Sequence, residues 1–123
     1  MKRICCMIIV LALLLSGCFL KSKPATVSGD CYQIGMSVLE ATDDYLDGDI
    51  TAIVAAGQIQ NRCREFGGVQ GDLTTDNQAV ENYCEILSYT LTLVADGDHI
   101  NAGEIINTRN YLAALLGEDY REQ

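Results

Sequence analysis

From Asp30 onward the apolar residues of this chain recur every three or four positions, the spacing that gathers them on one side of a helix. A first segment, about 30–46, aligns Cys31, Ile34, Val38, Thr42 and Tyr45, with Leu39 and Leu46 beside them. It stops at Asp47-Gly48, where glycine can take the left-handed conformation that closes a helix. Asp49 is placed to cap a second segment, about 50–66, whose stripe holds Ile50, Ile53, Val54 and Gly57. Ala52, Ala55, Ala56 and Ile59 widen that stripe, and Gly67-Gly68 ends it. After a polar loop, Thr75 with Gln78 three positions on resembles a capping box. It opens a third segment, about 76–95, that aligns Val80, Cys84, Leu87, Leu91 and Val94. Asp96-Gly97 stops this one, and Asp98 is placed to cap a fourth, about 99–116, aligning Ala102, Ile105, Ile106, Arg109, Leu112, Ala113 and Leu116. Gly117 closes it, and the acidic tail beyond is expected to fray.

No segment alternates convincingly as a strand would; Thr90-Leu91-Thr92-Leu93 does so briefly, inside a longer helical stripe. The pattern predicts an all-α fold, a four-helix bundle of two helical hairpins. Each hairpin turns on Asp-Gly-Asp, at 47–49 and 96–98, which fits either an internal duplication or convergent turn chemistry.

The first 29 residues follow a different logic. Lys2 and Arg3 precede an unbroken apolar run from Ile4 to Leu15, twelve residues long and too short to span a bilayer, which takes about 20. Ser16 and Gly17 follow, then Cys18. The run Leu15-Ser16-Gly17-Cys18 resembles the lipobox of bacterial lipoproteins. That resemblance implies removal of a signal peptide, 1–17, and fatty acylation of Cys18 at its sulfur and its new amino group. Two or three acyl chains hold a protein to a membrane far more firmly than the marginal grip of one. In such lipoproteins an aspartate after the cysteine favours retention in the inner membrane; Phe19 stands there, so the resemblance implies the outer membrane, on its periplasmic face. Residues 18–29 then read as lipidated cysteine and tether, carrying Lys21, Lys23 and the only proline, Pro24. The eleven residues from Phe19 span at most about 36–40 Å, which keeps the domain at 30–123 beside the membrane.

Charge narrows the partners. The whole chain has 8 basic and 17 acidic residues; without Lys2 and Arg3 the balance is 6 against 17, or −11. Such a body disfavours nucleic acid and repels anionic lipid, which leaves the acyl chains on Cys18 as the link to the membrane.

Three cysteines remain in the domain. Cys31 lies sixteen residues before Asp47 and Cys63 sixteen after it, so in an antiparallel hairpin they are expected to face each other and, in an exported compartment, to form a disulfide. Closing that 33-residue loop would contribute roughly 3–4 kcal/mol in the chain-entropy model. Cys84 sits on the apolar stripe of the third segment, as a buried thiol or as the odd cysteine of an intermolecular bond.

No metal, cofactor or catalytic site is expected. Cys31, Cys63, Cys84 and His99, the only histidine, lack the close ligand spacing of zinc sites. The 43–54 stretch has a glycine where a calcium loop needs one, but Tyr45 and Val54 stand at ligand positions. Glu81 and Glu85, one turn apart, read as a solvated face, and no nucleophile elbow or phosphate loop is present.

The expected function is therefore a membrane-anchored, non-enzymatic binding module with a protein partner. In overall layout from Cys18 to Leu116 the chain resembles the helical pilotins of secretion systems, which implies an accessory lipoprotein that holds or escorts an envelope protein. Small residues at Ala52, Ala56 and Gly57, and exposed tyrosines such as Tyr89, are the candidate partner contacts. The alternatives are an exclusion or immunity lipoprotein of phage or plasmid type, blocking a receptor, channel or lytic enzyme, and a structural envelope protein.

Overall fold

The computed structural model describes residues 23–69 and 74–123. The expected signal, Cys18 and the first part of the tether lie outside the described residues. Four helices are present, α1 (Gly29–Leu46), α2 (Ala52–Cys63), α3 (Thr75–Ala95) and α4 (Ala102–Leu116), and the described residues contain no strand. The chain folds as the all-α bundle that its periodicity predicts.

Each helix begins where a side-chain oxygen takes up a free backbone N–H. Ser28 accepts from Cys31, Thr51 from Val54, Thr74 from Asn77 and Asn101 from Gly103. Three of these differ from expectation: Thr51, Thr74 and Asn101 cap where Asp49, Thr75 and Asp98 were anticipated. The two Asp-Gly-Asp turns explain the shifts to Thr51 and Asn101. Asp49 N–H donates to the Asp44 carbonyl and Asp98 N–H to the Leu93 carbonyl, while Gly48 and Gly97 sit at φ 79° and 97°. Each turn thus spends its second aspartate on closing the preceding helix. The chain needs further extended residues to reverse, and Ile50 and Ile100, each just before its cap, pack against the core there.

The second helix also ends earlier than its stripe implies. It gives way at Arg64 to a 3-10 turn, Arg64–Gly68, which folds Phe66 under the open end of the core.

Val38, Ile59, Val80, Leu87, Leu91, Ile105, Leu112 and Leu116 form one continuous core. Each such side chain contributes roughly 1.5–3 kcal/mol when fully buried. The bundle is not square. α1 and α3, which run parallel, touch across the middle, and Gly35 permits it: a Cβ there would stand 3.0 Å from both Leu116 methyl groups and 3.1 Å from Val80 Cγ1.

The starts of α1 and α3 are also tied by hydrogen bonds. Ser28 N–H donates to Asn77 Oδ1 at 2.9 Å, and Thr74 Oγ1 to the Thr26 carbonyl at 3.1 Å. Val27, 1 % exposed, is part of the core, and Lys23 Nζ donates to its carbonyl. Residues 23–28, expected as free tether, are therefore docked on the domain.

The tail expected to fray is likewise held. Arg109, 8 % exposed, forks onto Asp43 with its Nε and Nη2 at 2.8 and 2.9 Å, and donates from Nη1 to the Asp119 carbonyl at 2.6 Å. Asn110 bonds both N–H and carbonyl of Arg121, whose guanidinium reaches Asp47.

Candidate functional site

The four candidate partner contacts do not share a face. Ala56, 7 % exposed, points into the core, and Ala52 is half-buried. Gly57 lies on the outer side of α2, with nothing within 4 Å of where a Cβ would stand. Tyr89, 66 % exposed, projects from the outer side of α3. The small residues thus divide by helical phase: Ala56 lets α2 sit close to its neighbours in the bundle, and Gly57 faces solvent. Among the tyrosines, Tyr32, Tyr45 and Tyr83 pack against the core. Tyr111 is exposed but stacks on Tyr83, ring centroids 5.6 Å apart and planes within 13°.

Other large apolar side chains remain on the surface. Ile53 is 70 % exposed and Val54 44 %, both in the first turn of α2. The sequence pattern had assigned them to the buried stripe of that helix. In the structure Ala55, Ala56 and Ile59 take the buried positions instead, because α2 starts at Ala52 and is rotated so that its smallest residues meet the bundle.

Two clefts border α2. One, of about 410 Å³, lies between α1 and α2 and is lined by Ser37, Glu40 and Asp44 on one wall and Gln58, Asn61 and Arg62 on the other. The second, of about 510 Å³ at the end where the tether enters, mixes Asp30 and Glu65 with Arg62 and Arg64. Arg62 is already engaged, donating to both Glu65 oxygens at 3.2 and 2.9 Å.

The cysteines correct a further expectation. Cys31, Cys63 and Cys84 are free thiols, and the Cys31–Cys63 bond is not made. The residue count was centred on Asp47, but the turn runs from Leu46 to Ala52 and centres on 49. Counted from there, Cys31 is eighteen residues back and Cys63 fourteen on, an offset of one helical turn, about 6 Å along the axis. Burial pushes the Cys63 thiol up to about 11, helped by the charges of Glu85 and Glu81 on α3. Cys84, fully buried, is pushed higher still, first by desolvation and then by its neighbours Cys63 and Cys31. Thiols so shifted are poor nucleophiles near neutral pH.

Among the described residues no group of three or more His, Cys, Asp or Glu side chains is arranged to hold a metal ion. His99 is exposed, in the chain leading to α4. Among the same residues no helix is long and apolar enough to cross a membrane. The chain matches no protein-family model, no curated protein and no solved structure.

Sequence reasoning missed two arrangements. Arg109 appeared only as one more position on the stripe of α4, although an arginine there signals a buried partner; nothing local identified Asp43, 66 residues away. The outward turn of Ile53 and Val54 depended on where α2 begins.

Proposed function

We propose that this chain is a lipid-anchored binding module of the bacterial envelope that holds or escorts another envelope protein, moored through acyl chains on Cys18 at the periplasmic face of the outer membrane. The reading is carried by one conjunction: a lipobox-like run ahead of a small helical domain that keeps Ile53, Tyr89 and Tyr111 well exposed. Scattered apolar side chains are ordinary on a surface, but exposed aromatic ones such as Tyr89 and Tyr111 are of the kind enriched at protein contacts. The docked segment at 23–28 supports the mooring, since it fixes which end of the bundle faces the tether. Among the described residues, burial holds the Cys63 and Cys84 thiols protonated near neutral pH, and Arg109 is tied to Asp43, so these groups read as structural.

Crosslinking in intact cells, followed by purification from membranes, tests the reading. A reproducible envelope-protein partner, mislocalised when this chain is deleted, is the expected result. A partner that stays in place on deletion, with resistance to phage, conjugation or a lytic enzyme on expression in a naive host, would overturn the escort role in favour of exclusion or immunity.

A further inference from the structure

The two ends of the bundle differ in what reaches them. The starts of α1 and α3 lie together, tied through Ser28–Asn77 and Thr74–Thr26. The end of α2 meets them in the cleft that Asp30 shares with Arg62 and Arg64. Pro24 is at the same end, 3.5 Å from where a Cβ on Gly117 would stand. Both Asp-Gly-Asp turns lie at the other end, because α1 and α3 run parallel and each finishes in one. At about 1.5 Å of rise per residue, the 18 residues of α1 and the 21 of α3 set these poles about 27–32 Å apart.

Their charge differs too. Among the described residues the tether pole sets Lys23, Arg62 and Arg64 against Asp30, Glu65 and Asp76, an even balance. Arg62 is paired with Glu65, and Arg64 is exposed. The turn pole carries Asp43, Asp44, Asp47, Asp49, Asp96 and Asp98 against Arg109 and Arg121. The connection to Cys18 is short as well. Lys23 is bonded to the Val27 carbonyl and Val27 is in the core. Only the five steps from Cys18 to Lys23 then separate the lipidated residue from the body, at most about 17–18 Å.

We propose that the domain stands upright on the bilayer that anchors it: the tether pole rests on phospholipid head groups, with Arg64 and Lys23 over their phosphates, and the two Asp-Gly-Asp turns project away from the membrane. The inference rests on the mooring at Cys18 and deepens it. Length excludes the inverted body. With the turns on the membrane, Lys23 would stand about 27–32 Å above it, beyond what about 17–18 Å of chain can span. Charge opposes a body lying flat. On α1 or α3 it would bring the exposed Glu40 or Glu85 onto anionic lipid. The outer face of α2, uncharged from Ile50 to Asn61, would bring Asp49 at its end and Asp44 of the adjoining cleft. The surface potential fades over about 8 Å at physiological salt, so the upright body keeps all six aspartates of the turn pole outside it.

The test uses the acylated protein in vesicles of phosphatidylglycerol and phosphatidylcholine in equal parts, doped with a lipid that carries a nitroxide on its head group. The chain has no tryptophan, so single-tryptophan variants report without background. Gly68→Trp marks the tether pole, Gly57→Trp the flank and His99→Trp the turn pole. Both glycines have nothing within 4 Å of a new Cβ, and His99 is exposed, so helical content should match the parent. Given the separation of the poles, quenching of Gly68→Trp should exceed that of His99→Trp at least about five-fold, with Gly57→Trp between them. Adding K23Q/R64E to Gly68→Trp should cut its quenching at least about two-fold. Equal quenching at the three positions, strongest quenching at Gly57→Trp or His99→Trp, or no change with K23Q/R64E would overturn the proposal. Intact mass is taken on the same samples. Absence of acyl mass would defeat the mooring and the orientation together, whereas a contrary quenching pattern in an acylated chain removes the orientation alone.

Discussion

Replacing Arg109 by methionine keeps most of the side-chain volume and removes the charge, the fork to Asp43 and the bond to the Asp119 carbonyl. Truncating one member of a buried ion pair costs about 3–5 kcal/mol, because the other charge is left without compensation. Here two features moderate that figure. Asp43 keeps 27 % of its side chain in solvent, and Arg121 stands 3.6 Å from it as a second cation. A loss of about 2–4 kcal/mol is therefore expected. For a domain of this size that corresponds to a fall in Tm of roughly 10–25 °C. Urea unfolding followed by far-UV circular dichroism measures it. Combined with Asp43→Asn, the second substitution should cost much less than it does alone, since both act on one interaction. A loss below about 1 kcal/mol for Arg109→Met would show that the fork is worth no more than a surface pair, and the reasoning would fail. Limited proteolysis adds a second readout: residues 118–123 should become cleavable in the variant and stay protected in the parent.

Gly35→Val should destabilise by about 1–3 kcal/mol by forcing α1 away from Val80 and Leu116, and unchanged urea stability would refute the close approach. Cys63, raised to about 11 by burial and then by Glu85 and Glu81, should alkylate slowly at pH 8 in the native protein and faster as pH climbs toward 11. Because its folded value lies above the ordinary 9.0, its contribution to stability is full below pH 9 and is lost as pH rises toward 11; native labelling as fast as that of the urea-unfolded chain would contradict this. Arg121, by its hydrogen bond and then its charge, holds the Asp47 carboxyl below 3.8, so NMR titration of Arg121→Gln should return the midpoint to 3.8, and an unmoved midpoint would exclude the pair. Any stability linked to Asp47 is present above pH 3.8 and is lost as pH falls below it.

The helices were legible because burial enforces period on a chain of this length: Val80, Cys84, Leu87 and Leu91 can share one side only in a helix. The stop signals were legible for a local reason, since Gly48, Gly97 and Gly117 carry the positive φ that each helix end requires. What escaped depended on groups far apart in sequence. Whether Asp49 caps a helix or closes one is decided by its amide bond to Asp44, and the outcome moves the start of α2 by two residues. That shift exposes Ile53 and Val54 and puts Cys63 a turn out of register with Cys31. The order at both ends of the domain has the same character. Val27 enters the core, and the tail lies down because Arg109, Asn110 and Arg121 find partners there, none of them visible in a stripe of apolar positions.

Mooring through Cys18 is the claim on which the functional account stands, and the intact mass of the protein recovered from washed membranes tests it most directly. The account predicts a chain that begins at Cys18, lacks residues 1–17 and carries fatty acyl mass, with Cys18→Ser released from the membrane fraction. An unacylated chain, or a Cys18→Ser protein that still sediments with the envelope, would contradict it.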